Sequence, residues 1–443
     1  MKILPILATC IVSIAVVPAG ARAQQEAGAV HLTLDAAIAR ALDASHRVRE
    51  LNARQEATRA TWDARQAADR PQLSVQAGYT RTNHVDEFGV GLPGQSFKVI
   101  YPDIPDNYRT RLDLQWPIYS FGRTAALERL AQAEAEASSK DVDVARADLR
   151  LEVTRAFWAL TTARESVHVL EESVRRMDAS LQDVQNRLKV GLVPPNDVSS
   201  VQAQRSRQQM LVIQARNQVD LVTADLARLV GLPPDARIEP DTTLQELPPP
   251  PGDLGALVAE ARQARPERQA LARRVAEAGQ RREAALAGRR PVLAVGAGLD
   301  YARPNPRIFP RLGEFRESWD ASVNLSWLLW DGGRTGADIA EATASQRAMA
   351  ERLADLDSAL DVEVRQRWLD VASSRAAVTA AVDAVSAATE ARRVLGERFA
   401  SGVATSTDVL DAQVALLQAE LDRTQALATV RLAEARLNRA VGR

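Results

Sequence analysis

The sequence predicts a mostly α-helical protein with a small amount of membrane β-structure, the whole arrangement occurring twice in one chain. Three observations predict it. Long Ala-, Leu-, Gln-, Glu- and Arg-rich stretches carry heptad-spaced apolar residues, two aromatic windows alternate with period two, and both features recur at a nearly fixed offset. At 443 residues, 26% charged and a net charge of −1, the chain has neither the basic footprint of a nucleic-acid binder nor the composition of a bundle of bilayer-spanning helices.

Residues 1–23 read as a cleaved secretory signal: Lys2, an apolar stretch from Ile3 to Val17, then Pro18 and the small-residue pattern Ala21-Arg22-Ala23. A membrane anchor needs about 20 apolar residues, and this stretch is shorter. Cys10, the only cysteine, lies inside it and follows Thr9, which is larger than the residue expected before a lipidated cysteine. A cysteine-free mature chain excludes disulfides, thiol nucleophiles and Cys metal sites, and suits an oxidising compartment. After Gln24 no window of 18 consecutive apolar residues follows, so an exported chain of this kind is either soluble or a β-barrel.

Two copies are predicted, 32–231 and 253–442. Gly122-Arg123-Thr124, Arg187, Gly191, Asp197-Val198 and Gly231 recur at an offset of 211 as Gly333-Arg334-Thr335, Arg398, Gly402, Asp408-Val409 and Gly442. Upstream the offset is 220, relating Pro71, Leu73 and Val75 to Pro291, Leu293 and Val295. The difference falls in the Gly-, Pro- and Asp-rich loop of the first copy, 82–107.

In order, the first copy opens with a long helix over 33–70 and a hairpin over 71–122. Leu73, Val75, Ala77 and Tyr79 alternate with polar residues, as do Tyr108, Thr110, Leu112, Leu114 and Trp116. Next, 123–189 contains neither Pro nor Gly and carries the seam Val153, Ala156, Leu160, Ala163, Val167, Leu170, Val174, Met177, Leu181, Val184 and Leu188. At 1.5 Å per residue this helix is roughly 100 Å long, too long for a compact core. A turn at Val190 to Pro195 reverses the chain into a helix over 195–230, with Pro195 in its first turn, where the missing N–H costs little. Residues 232–252, with Pro233, Pro234, Pro240 and Pro248 to Pro251, form an extended connector. The second copy repeats the pattern with helices over 253–289, 334–400 and 405–441 and a hairpin over 291–333.

Each hairpin has one apolar and one polar face. Tyr79, Tyr108, Trp116, Trp319 and Trp327 lie near strand ends, where an aromatic belt meets a lipid interface. Four strands cannot close a barrel, and an open edge in hydrocarbon leaves backbone groups unpaired, so insertion demands several chains. Three would give twelve strands, and this count leaves dimers and tetramers open. A soluble periplasmic coiled-coil scaffold, its hairpins packed on helices, is the alternative of another class.

With the junctions Trp116-Pro117-Ile118-Tyr119-Ser120-Phe121-Gly122-Arg123 and Trp327-Leu328-Leu329-Trp330-Asp331-Gly332-Gly333-Arg334, the chain resembles the TolC-like outer-membrane efflux family over essentially its whole mature length. The second junction has the family's aromatic-Asp-Gly-Gly-Arg form, and the first departs from it with Ser120-Phe121. The resemblance implies a homotrimer in the outer membrane, contacting outer-membrane lipid through a twelve-stranded β-barrel. A coiled-coil helical barrel would continue through the periplasm toward a periplasmic adaptor (membrane fusion) protein and an inner-membrane pump. Gly191, Leu192 and Val193 with Gly402, Val403 and Ala404 would be the adaptor-docking tip. Asp408 and Asp411, in the intact Asp-Val-Leu-Asp element, together with Asp197, would be the periplasmic gate. Helix-start aspartates favoured by the helix dipole are the ordinary alternative for Asp197 and Asp408. Phe399 lacks the hydroxyl of the relatives' latch and Ala404 replaces its basic residue, so that latch does not carry over.

No catalytic constellation emerges. Gly89-Val90-Gly91-Leu92-Pro93-Gly94 fits a dinucleotide fingerprint only literally and is expected to be loop. The four His, at 31, 46, 84 and 168, lack ligand spacing, so no enzyme activity, metal or cofactor is expected. The expected function is a passive exit duct for small molecules, opened by adaptor docking. The same duct in a type I protein secretion system is the other reading within the family.

Overall fold

The computed structural model describes residues 30–91, 93–94, 97–244, 247 and 249–443; the predicted signal, 1–23, lies outside the described residues. The first half runs β1 (Val30–Leu32), α1 (Leu34–Ala44), α2 (His46–Gln66), a single 3-10 turn, β2 (Gln72–Arg81), β3 (Phe88–Val90), β4 (Lys98–Tyr101), β5 (Asp106–Tyr119), α3 (Arg123–Lys189), α4 (Pro195–Leu229) and β6 (Ile238–Pro240). The second runs α5 (Leu254–Ala264), α6 (Pro266–Ala287), β7 (Val292–Arg303), β8 (Arg316–Ser326), α7 (Arg334–Ala400) and α8 (Ser406–Val441).

Two helices expected to be continuous are broken. In place of one helix over 33–70, Ser45 ends α1 and starts α2: its N–H donates to the Ala41 carbonyl and its Oγ accepts from the Val48 N–H at 3.3 Å. In place of one over 253–289, Arg265 separates α5 from α6 because Pro266 follows it. A residue before proline is pushed out of the α region, and Arg265 sits at φ −64, ψ 117. The connector also holds structure that periodicity did not reveal, since β6 pairs in parallel with β1. Within the 82–107 loop, β3 and β4 form a small hairpin that places Gly89 and Val90 in a strand rather than in loop.

Helices α3 and α7, 67 residues each, run from the sheet to the turns at the far end. Toward the sheet the helices lie side by side in the order α2, α3, α6, α7, and away from it in the order α4, α3, α8, α7. The sheet has the matching order β2-β5-β7-β8. The described residues therefore form one panel, bounded by β2, α2 and α4 on one side and by β8 and α7 on the other. Its densest core lies midway along α3, where Phe157 and Leu160 are fully buried against α1, α4 and the β1–β6 pair. Every residue of the α3 seam is buried or half-buried.

An ion cluster ties four helices together. Arg439 of α8 is only 8% exposed and pairs with Asp148 of α3 at 2.7 Å and with Glu267 of α6. Beside it Arg265 reaches Glu363 of α7 at 2.6 Å and the Ala440 carbonyl at 3.1 Å. Burial pushes the Glu267 carboxyl up, but the two guanidinium groups and its own backbone N–H outweigh that and hold it below the usual range. Arg439→Ala would leave two carboxylates facing each other in a partly buried site. It is expected to lower unfolding stability by roughly 2–3 kcal/mol, read as a lower urea midpoint. Because the folded Glu267 pKa is depressed, its contribution is present above the ordinary glutamate range and lost on acidification through the folded value. The wild-type midpoint should therefore fall in acid more steeply than that of Glu267→Gln.

Candidate functional site

The register makes a two-faced sheet. Leu73 stands opposite Leu114, and Val75 opposite Leu112, which in turn faces Leu299 and then Trp319. Leu293 and Val295 face Leu325 and Val323. One continuous apolar face results, and it is uncovered: Leu73, Val75, Val323 and Leu325 are all more than half exposed.

Aromatic residues flank this face at both ends. At the loop end Tyr79 and Tyr108 approach with ring centroids 5.0 Å apart, and Tyr108 and Tyr301 both contact Phe315. Trp319 lies near the same end. Trp116 and Trp327 lie at the helix end, and each indole N–H donates at 3.0 Å to the carbonyl of a residue just before the strand, Asp69 and Arg289 respectively. All five residues expected in the belt thus lie on the apolar side near strand ends. Tyr301 and Phe315 join them, but Phe315 lies outside the regular alternation and left no period-two signal.

The opposite face is polar and internally paired. Arg111 bonds Asp300, Asp113 at 2.7 Å and Asp320 at 3.1 Å, and Arg109 bonds Asp300 at 2.6 Å. Gly298 opens the space for this, since a Cβ there would stand 2.2 Å from an Arg111 terminal nitrogen. The loop after β7 folds back over this face: Arg307 pairs with Asp320 at 3.1 Å and donates to the Trp319 carbonyl at 2.7 Å. Buried Asn305 donates to the Arg316 carbonyl at 2.9 Å. Asp300, 3% exposed, and Ala302 are buried, and a cavity of about 400 Å³ remains between Pro304, Pro306 and Arg311 and the polar sides of β2 and β5. Alternation identified the polar face, but Arg109 and Asp300 are distant in sequence and only strand register brings them together.

At the far end, α3–α4 and α7–α8 turn beside one another. Gly191 and Gly402 take left-handed backbone, φ 75 and 78, so that Leu192 N–H and Val403 N–H reach back to the Arg187 and Arg398 carbonyls. Leu192 and Val403 are left 71% and 77% exposed. Two of the six residues expected on the docking surface differ. Val193 turns inward onto the cluster of Met177, Val184, Val201 and Leu410, and Ala404 is half-buried. Phe399 stacks under the Arg187 guanidinium at 4.7 Å, joining the two turns.

The three expected gate carboxylates are not equivalent. Asp408 forms a capping box: its carboxylate accepts from the Thr405 N–H at 2.8 Å and from Thr405 Oγ1 at 2.7 Å, while Thr405 Oγ1 accepts from the Asp408 N–H. These bonds hold its pKa below the ordinary aspartate range. Asp411 is exposed and Asp197 half-exposed, and neither carboxylate has a hydrogen bond or ion pair among the described residues. Also among the described residues, no helix is long and apolar enough to cross a membrane, and no His, Asp and Glu group could hold a metal ion.

An outer membrane efflux protein model matches residues 37–232 and 257–443. The chain belongs to the outer membrane efflux protein family. It is 26% identical to Protein CyaE of Bordetella pertussis over 315 residues, 68% of this chain and 63% of that one, so it spans less than two thirds of this relative. It is 23% identical to outer membrane protein TolC of Vibrio cholerae over 375 residues, 84% of this chain and 82% of that one. Among solved structures, the outer membrane protein VceC of Vibrio cholerae superposes with a TM-score of 0.77 at 19% identity, covering 92% of this chain and 96% of that one. The fold is thus mostly helical and of the TolC type, a channel fold rather than an enzyme fold. Its place is the outer membrane, with the helices extending into the periplasm.

The two carboxylates of the Asp-Val-Leu-Asp element should separate experimentally. Asp408→Ala removes the capping box and is expected to cost about 1 kcal/mol of local helix stability, seen as faster amide exchange over Ser406–Leu410. Asp411→Ala should leave that exchange unchanged.

Proposed function

We propose that three copies of this chain close edge to edge into a passive outer-membrane duct, through which small molecules leave a tripartite efflux system. The observation that carries this reading is the four-stranded sheet whose one face is apolar and uncovered and whose edge strands, β2 and β8, each pair on one side only and leave their outer edges unpaired among the described residues. Along β5, Tyr108 and Trp116 are eight residues apart, about 27 Å of strand. A tilt of about 40° reduces this to roughly 20 Å, close to the 25 Å apolar band of outer-membrane barrels.

The helices support the same closure. The panel's two edge helices expose apolar residues, Met210, Ile213 and Leu221 on α4 and Val362, Leu369 and Val382 on α7. Unlike edges that meet head to tail generate a ring. Three chains give twelve strands, and two structural copies per chain give the helical barrel six similar units.

Leu192 and Val403, with Gly191 and Gly402 setting the turns, form the adaptor-docking tip, and Val193 and Ala404 support it from within. The gate is assigned to Asp411 and Asp197, whose free carboxylates would repeat around the ring, while Asp408 chiefly holds the helix start beside them. Energy comes from an inner-membrane pump through the adaptor, and no catalytic role is assigned to this chain.

Detergent-purified protein is expected to run as a trimer and to give a small, cation-selective conductance in a planar bilayer. Asp411→Ala should raise the conductance or weaken cation selectivity. A conducting trimer indifferent to that change would remove the gate assignment, and detergent-independent extraction without conductance would favour a periplasmic scaffold instead. In cells, Leu192→Asp with Val403→Asp should abolish crosslinking to the adaptor while leaving the trimer intact.

A further inference from the structure

The two ends of the sheet treat their arginines differently. At the loop end each is held: Arg81 pairs with Asp106 at 3.4 Å, Arg316 with Glu314 at 3.2 Å and Arg307 with Asp320 at 3.1 Å. There too Arg303 donates to the Gly313 carbonyl at 2.7 Å and Arg311 to the Tyr101 hydroxyl at 2.9 Å.

At the helix end every crossing between helix and strand carries arginine: Arg70 before β2, Arg123 after β5, Arg289 and Arg290 before β7, and Arg334 after β8. All five are exposed, and none has a carboxylate partner among the described residues. Arg290 donates to the Phe121 carbonyl at 2.7 Å. Of the carboxylates in these same crossings, Asp331 is engaged with the Gly333 and Thr335 N–H groups, which leaves Asp69 alone among five guanidinium groups.

Depth is fixed by the indoles. Trp116 and Trp327 lie on the apolar face and bond the Asp69 and Arg289 carbonyls, so Arg70, Arg289 and Arg290 are each within one residue of an indole's anchor point. Arg290 also reaches the Arg123 crossing, since a Cβ on Gly122 would stand 3.0 Å from its terminal nitrogen. Interfacial indoles sit at headgroup level, and a guanidinium presents a planar fork that fits phosphate oxygens. The internal offsets relate Arg70 to Arg290 and Arg123 to Arg334, so both halves of the chain carry the pair.

We propose that these arginines form a rim that binds the phosphates of anionic phospholipids in the periplasmic leaflet, so that the protein gathers such lipids around its barrel. This rests on the reading that the sheet spans a bilayer. At the opposite end Arg81, Arg307 and Arg316 are already neutralised by carboxylates, which makes the preference one-sided.

The test uses the purified protein in vesicles of brominated phosphatidylglycerol mixed with phosphatidylcholine, or brominated phosphatidylcholine mixed with phosphatidylglycerol, and reads quenching of tryptophan fluorescence. Phosphatidylglycerol should bind about fivefold more tightly than phosphatidylcholine at low salt. Arg70→Gln with Arg290→Gln, and Arg123→Gln with Arg334→Gln, should each lose part of that preference, and the four changes together should bring it below twofold. Equal quenching by both lipids in the wild type overturns the rim and keeps the bilayer reading, whereas no quenching by either overturns both. Loss of the trimer in the Gln variants would show instead that the arginines bridge subunits, which also overturns the rim. The wild-type comparison decides the first point even if a variant does not fold.

Discussion

An unpaired strand edge cannot remain in hydrocarbon, and the architecture of this chain follows from that constraint. Each unsatisfied backbone N–H or C=O in lipid costs several kcal/mol, so a sheet of four strands with two free edges has no stable place in a membrane as a single copy. The sheet's apolar face is equally poorly placed in water. The proposed oligomeric closure would remove both penalties together. Because α2 and α4 continue the β2 edge and α7 continues the β8 edge, a contact that closed the strands in the proposed assembly would also cover the exposed apolar residues of the helices. In the proposed assembly, strand number, helix length and subunit association would be solved together.

Within that solution the two sheet faces are stabilised by different physics. The apolar face needs no side-chain specificity beyond size, and Leu, Val, Ala and aromatic residues alternate along it in register. The polar face instead holds Arg109, Arg111 and Arg307 against Asp113, Asp300 and Asp320, three charges of each sign. The side chains of Asp300, 4% exposed, and Arg111, 19% exposed, are the best shielded of these groups, while the half-exposed Arg109 and Arg307 contribute as ordinary surface ion pairs do, below about 1 kcal/mol each. Balanced charge also keeps a wall of this kind from trapping ions of one sign. That suits a passage whose cargo must not stop.

Much of the fold was legible in the sequence because its signals are local and periodic. The α3 seam, the alternation of β2 and β5, and the glycines at 191 and 402 each express a backbone requirement within a few residues. What periodicity missed depends on competition or on distance. Ser45 could continue a helix or cap one, and the cap wins because the side chain satisfies the Val48 N–H. Pro266 marks its break openly, yet amphipathic spacing runs straight through it. The β1–β6 pair joins residues about two hundred positions apart, which no window can see. At the tip, the residues singled out by resemblance lie in the two helix turns at Gly191 and Gly402. Resemblance could not tell which face Val193 would take, nor that Thr405 would engage Asp408.

The distribution of burial along α7 bears on where such a duct can open. Its buried residues are Ala342, Leu360, Val364, Val371, Ser374 and Val378, and among the described residues none from there to Ala400 is buried. The last six turns of this helix are thus held by half-buried contacts, by the Phe399–Arg187 stack and by the neighbouring α8. Local opening is least costly where buried apolar contact is sparse, whereas the equatorial core around Phe157 and the Arg439 cluster anchor the other end of the lever. A partner that grips exposed Leu192 and Val403 would act on the softest part of the molecule. Small outward displacements of α7 and α8 at the tip need not disturb the sheet, because the rigid segment between them is the region where α1, α4 and the β1–β6 pair clasp α3.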